Sequence, residues 1–284
     1  MHSTNKKFFK GAVLAAGLLV ASGLARASVF DHADQLFEQR EGSSQNISDS
    51  RAEYLRLIPL VTENDLGYAI QQIGRLAVYE GTYMISDDPA NNPRKAQIFN
   101  ECKTLSAKIK DFPSQFTVYT YWRLACSALW IRYATATDRL VQISQIKLEF
   151  DDLVNDQLDI RADRSVDLRY QGGGINRVLS GIYSDTLSAL IRRGLPNGTK
   201  ALDMADQALR ARAYPGDPNQ ASDYYSNHRY RAQALRSLFR SGDAVSEVVT
   251  AISEIEERAS GGDLPVGMVP ETTGELVLLR AMNH

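Results

Sequence analysis

The chain has 284 residues, 44% of them apolar, with 32 Lys and Arg against 34 Asp and Glu and only two cysteines. Disorder needs fewer apolar residues and a larger net charge, and collagen-like or disulfide-dense scaffolds need other compositions, so a folded protein is expected. The first 27 residues hold four of the basic groups and no acid; without them 28 basic groups face 34 acids. That surplus of negative charge gives no electrostatic basis for binding nucleic acid or an anionic lipid surface.

Residues 1–27 have the pattern of a cleavable secretory signal. Lys6, Lys7 and Lys10 form a positive start, Gly11 to Leu24 is an uncharged, mostly apolar run, and Ala25 and Ala27 frame a small-residue cleavage site before Ser28. The apolar run is shorter than the roughly 20 residues a membrane span needs. No cysteine lies near the site to accept a lipid, and no later stretch is long and apolar enough to cross a bilayer. A periplasmic location, with no integral membrane segment after cleavage, is the expectation; Asn46 and Asn197 stand in glycosylation sequons, which leaves a eukaryotic secreted origin open.

Residues 28–51 are polar, contain Gly42 followed by Ser43 and Ser44, and read as a flexible leader to a helical domain over 52–284. From there apolar residues recur at three and four, and period-two strands are absent, so the fold class is all-α. Asp65 is placed to cap a helix through Met84, with Ile70, Ile73, Leu76, Ala77 and Tyr83 among its apolar positions. A second helix follows the breaker-rich turn ending at Pro93 and runs to Lys110; a third covers Gln115 to Thr135 and a fourth Asp138 to Leu158. Gly172 to Arg192, Gly198 to Ala213, Asp217 to Arg240 and Gly242 to Ala259 supply four more, and Pro270 opens a short closing helix to Met282.

Short connections make consecutive helices antiparallel neighbours. The second helices of the hairpins begin near Pro93, Asp138, Gly198 and Gly242, at spacings of 45, 60 and 44 residues. This loose period is expected of stacked helix hairpins, an α-solenoid of about four hairpins with a C-terminal capping helix; an ordinary bundle is the alternative.

Recognisable chemistry is sparse. Apart from His2, the histidines are His32, His228 and His284, well separated, so neither a histidine-built metal site nor a His-dependent triad is expected. Asp151, Asp152, Asp156 and Asp159 miss the calcium-loop pattern and read as a solvated face. No cofactor is implied. The glycines at Gly172 to Gly174 lack the Gly-Lys-Ser/Thr of a nucleotide loop; they suit a tight turn and close helix contact, with a small anion on their amides and Arg177 as the other possibility.

Cys102 and Cys126 each lie 12 residues from a turn centred near Ser114. That is about 18 Å along antiparallel helices, so both thiols sit at one height, where an oxidising compartment favours a disulfide; thiols facing apart would simply be buried. Tyr119, Trp122, Cys126, Trp130 and Tyr133 share one helix face, which reads as core more readily than as a ligand platform. Tyr224, Tyr225 and Tyr230 stand among Asn227, Arg229 and Arg231 and look less like pure core. The concave side of stacked hairpins binds partners. Arg177, Tyr183, Tyr224, Tyr225, Tyr230 and Arg231 are therefore the candidate binding residues, for a peptide, a protein loop or a small organic acid.

Ala201, Ala205 and Ala208 followed by Pro215 resemble the small-residue face of the second helix of a tetratricopeptide repeat, and Leu179, Gly181 and Tyr183 resemble the first-helix pattern, echoed by Gly74 and Leu76. The repeat is longer than that family's unit and lacks its hallmark Trp, so the likeness is to a divergent member. The string Gly172-Gly173-Gly174-Ile175-Asn176-Arg177-Val178-Leu179, followed by an alanine-rich and then a tyrosine-rich helix, is similar to the T component of TRAP transporters over residues 171–259. That resemblance implies a periplasmic tetratricopeptide-like protein that partners with solute-binding subunits. The expected function is thus a non-catalytic binding or scaffold role; the rival is an exported hydrolase acting on cell-wall glycan.

Overall fold

The computed structural model describes residues 29–153, 166–185, 197–214 and 219–283. The expected signal segment, the ends of the helices expected to reach Leu158 and Arg192, and Asp156, Asp159, Pro215 and His284 lie outside these residues. Among the described residues the chain is all-α, with no strand.

The flexible leader expected over 28–51 is instead ordered helix. Helix α1 spans Asp31–Glu38 and α2 spans Ser44–Leu57, with the Ser43 hydroxyl accepting from the Gln45 amide at the start of α2. A polar composition hid a sparse apolar stripe: Phe30, Ala33 and Phe37 on one helix, Ile47, Tyr54 and Leu57 on the next, all buried. They pack on Ala69, Ile73 and Leu76 of the following helix, and the Ser50 hydroxyl donates to the Ala33 carbonyl at 2.9 Å.

Helix α3, Glu63–Val78, begins two residues before the expected cap, because the Thr62 hydroxyl accepts from the Asp65 amide. Its last expected residues, Tyr79–Met84, widen into a π-helical turn. Helix α4 is Asn92–Ser106 with Pro93 in its first turn, α5 is Phe116–Tyr133, and α6 is Ala136–Leu153. Helix α7 is Tyr170–Ser184, α8 is Gly198–Leu209 and α9 is Ser226–Ser237. Helix α10 is Ser241–Gly261, and α11, Val269–Met282, carries Pro270 in its first turn.

Consecutive helices pack on one another along most of the chain, and α3, α5, α7 and α9 also touch in succession. These four therefore make one layer. Helix α4 packs on α5 at the back, with Cys102 and Cys126 joined in a disulfide at a Cα–Cα distance of 5.9 Å. Ala201, Ala205 and Ala208 are fully buried, which lets α8 lie close to α7. A Cβ on Gly173 would stand 2.7 Å from the Ala208 backbone, and Gly173 has a φ of +80°. With Gln171 (φ 52°) and Gly172 (φ 57°) it forms a left-handed turn that brings the chain into α7. The glycine run thus serves close approach, with Gly172 against the Tyr224 ring and Gly173 against the α8 backbone. Helix α11 then returns across the molecule to pack on the Tyr79–Met84 turn as well as on α9 and α10.

Candidate functional site

A cavity of about 350 Å³ lies between α11 and the layer of α3, α5, α7 and α9. Arg75, Val78 and Thr82 face it from α3 and its π turn, and Trp122, Ala125, Leu129 and Arg132 from α5. Ser226, Arg229, Tyr230 and Gln233 face it from α9. Each set recurs at three and four residues, the spacing that keeps side chains on one helix face. The π turn adds Tyr83, the left-handed turn adds Gln171, and α11 closes the far side with Glu271, Glu275, Leu278 and Met282.

Four of the six expected binding residues, Arg177, Tyr224, Tyr225 and Tyr230, line this cavity. Tyr183 and Arg231 do not. Tyr183 follows Arg177 by six residues, about 240° around the helix, and sits in the apolar core with the Lys200 ammonium 5.7 Å from its ring. Arg231 points behind α9, pairing with Asp206 of α8 at 2.6 Å and with Glu247 of α10. Glu247 also meets His228 Nδ1 at 2.6 Å. Burial raises the Glu247 carboxyl, but His228 and Arg231 outweigh it and hold the group below its ordinary range.

The expected aromatic stripe on α5 divides. Trp122 and Tyr133 reach the cavity, whereas Tyr119 and Trp130 serve the core, and Trp130 carries the Lys103 ammonium 4.2 Å above its ring. Tyr121, outside the stripe, lines the cavity and stands edge-on to Trp122 with centroids 4.7 Å apart. Burial pushes the Tyr133 hydroxyl up to about 12.

The polar residues of the cavity are organised mainly around α11. Glu271 accepts from Arg40 at 2.5 Å and from Arg75 at 3.0 Å, and both arginines also donate to the Gly267 carbonyl at 3.0 Å. One turn later, Glu275 takes a two-pronged contact from Arg229, at 2.8 and 2.9 Å, and the Tyr83 hydroxyl at 2.6 Å. Burial lowers the Arg229 guanidinium, but Glu275 overcomes it and holds the group well above its ordinary value; Tyr83 is pushed well up by burial and by the same carboxylate. Asp223 pairs with Arg258 at 2.8 Å.

Arg177 is arranged differently. Its Nη1 donates to Asn227 Oδ1 at 2.8 Å, and Nη2 donates to the Tyr121 hydroxyl and the Gln171 carbonyl, both at 3.2 Å. The Tyr224 ring centroid lies 5.2 Å from the guanidinium carbon. Asn227 is itself fixed by donating to the Gly172 carbonyl at 3.0 Å, so the left-handed turn and α9 hold Arg177 between them.

Sequence reasoning missed Gln171, Asn227, Tyr121, Arg75 and the two α11 carboxylates as parts of this site. The three-and-four spacing on α3 and α5 carried a signal for the first wall; nothing local told which surface α11 would cover. Among the described residues there is no group of His, Cys, Asp and Glu that could hold a metal, and no helix is long and apolar enough to cross a membrane. No protein-family model matches this chain, and no curated protein matches it either.

Proposed function

We propose that this chain is an exported, non-catalytic binding protein whose cavity takes a small organic solute or a segment of a protein partner, working beside a TRAP-type transporter. The observation that carries this reading is the cavity itself: about 350 Å³, with aromatic, aliphatic and guanidinium groups converging under a single covering helix. That mixture of apolar wall and a few fixed polar groups is the usual make-up of a small-molecule site. The periplasmic location and the transporter partner rest on the amino-terminal pattern and on the resemblance around Gly172 to Leu179.

The glycan hydrolase reading needs two carboxyl groups converging on a bond, one of them protonated. Glu271, Glu275 and Asp223 are already engaged by Arg40 and Arg75, by Arg229 and by Arg258 respectively, which favours a positional role for them. Native mass spectrometry of protein purified gently from its own cells tests the binding role. A retained small molecule or second polypeptide is the expected result. A bare chain, together with turnover of peptidoglycan, would overturn it.

A further inference from the structure

We propose that the cavity takes a small monocarboxylate with an apolar body, the carboxylate resting on Arg177; this deepens the binding role proposed above and depends on it. Arg177 is 5% exposed and lines the cavity, yet among the described residues no carboxylate pairs with it. Arg40 and Arg229, also buried, are each closed by an acid of α11. A cation removed from water without a counter-charge is costly, and neutral oxygens return only part of what hydration supplied. A guanidinium has five N–H donors. Three are spent on Asn227, Tyr121 and the Gln171 carbonyl, which leaves two.

The two left are Nε–H and one N–H of Nη1; with both Nη2 hydrogens spent they lie on different edges of the guanidinium, so a carboxylate would meet Arg177 through a single N–H and its charge rather than as a two-pronged pair. Within the lining, Arg75, Arg132, Arg229 and Arg236 stand against Asp87, Asp223, Glu271 and Glu275, so Arg177 is the charge left over and one negative charge on the ligand balances it. One charge is therefore favoured. The rest of the ligand would lie against Val78, Ala125, Leu129, Val178, Leu278 and Met282, which offer no polar side-chain group.

The test uses the full mature chain, titrated with 4-methylpentanoate, phenylacetate and octanoate and with the matched neutral amides, read by calorimetry and by tryptophan fluorescence, since Trp122 lies in the wall. At least one acid is expected to bind about tenfold or more tighter than its amide. Arg177→Met should abolish that gap, and Arg177→Lys should keep part of it. Should Arg177→Met not fold, the gap in the unaltered protein and in Arg177→Lys decides. Acids and amides binding alike, or a gap that survives Arg177→Met, would overturn the carboxylate assignment and leave the binding role standing. No binding of any probe, with a neutral molecule or a polypeptide retained in native mass spectrometry, would likewise overturn the assignment alone. No binding of any probe and a bare native mass would remove both.

Discussion

In the α4–α5 hairpin, Phe99, Cys102, Trp122, Cys126 and Ile131 are buried against one another and a disulfide joins the two helices. Where α11 crosses the layer of α3, α5, α7 and α9, the contacts are Arg40, Arg75, Arg229 and Tyr83 on Glu271 and Glu275, and of α11's own apolar side chains Leu279 is fully buried while Val277 is 61% exposed. Apolar packing is non-directional and tolerates small shifts, whereas paired charges hold a helix at a defined height and angle. The first kind of contact builds the scaffold. The second sets a cover over a cavity without filling the space beneath it.

The largest test of this contrast is Glu275→Leu. It leaves Arg229 buried without its carboxylate and should cost about 3–5 kcal/mol in denaturant unfolding. Combining it with Arg229→Met should recover most of that loss, because replacing both partners removes the uncompensated charge; a double variant as unstable as the single one would show that α11 is held by packing after all. On the hairpin side, Cys102→Ser with Cys126→Ser should cost roughly 2–4 kcal/mol. Unaltered stability in the oxidised and reduced protein would mean that the bridge contributes nothing there.

A smaller effect distinguishes the polar cluster behind α9. The Glu247 carboxyl is held below its ordinary range in the folded state, so its contribution is present above that range and is lost as pH falls through it. Glu247→Gln should therefore flatten the acid limb of the stability curve while leaving the alkaline limb in place, as read by thermal unfolding across pH. The smallest effect is expected at the exposed pair Arg56–Glu53 on α2, 2.6 Å apart. Glu53→Ala should change stability by less than about 0.5 kcal/mol. A loss comparable to that of Glu275→Leu would break the distinction between buried and solvated pairs.

Much of the fold was legible. The three-and-four recurrence located nine helices, though the one expected from Asp217 begins only at Ser226; Pro93 and Pro270 marked two helix starts, and Ala201, Ala205 and Ala208 marked a face that must lie against another helix. The amino-terminal pair was lost because its apolar residues are few and are buried by one another, by α3, by Tyr79 and by Leu105 of α4, neighbours that local composition does not reveal. Of the site, Arg177 and three tyrosines were visible as an aromatic and basic grouping, but Tyr183 and Arg231 were drawn in by sequence proximity alone. One residue is about 100° of helix, enough to turn Arg231 away from the face that carries Tyr230.

Helix identity and amphipathic spacing are local properties, dictated by backbone hydrogen bonding and by which residues want burial, and here they could be read along the chain without knowledge of any neighbour. The same holds for the charge balance and for the height at which the two cysteines meet. That α11 returns to the first helices became visible only in the packed molecule. The return joins Arg40 to Glu271 and Arg229 to Glu275, pairs separated by 231 and 46 residues. Which buried arginine keeps an acid and which is left with neutral partners depends on which of them Glu271 and Glu275 of α11 reach, and no stretch of sequence around Arg177 contains that information.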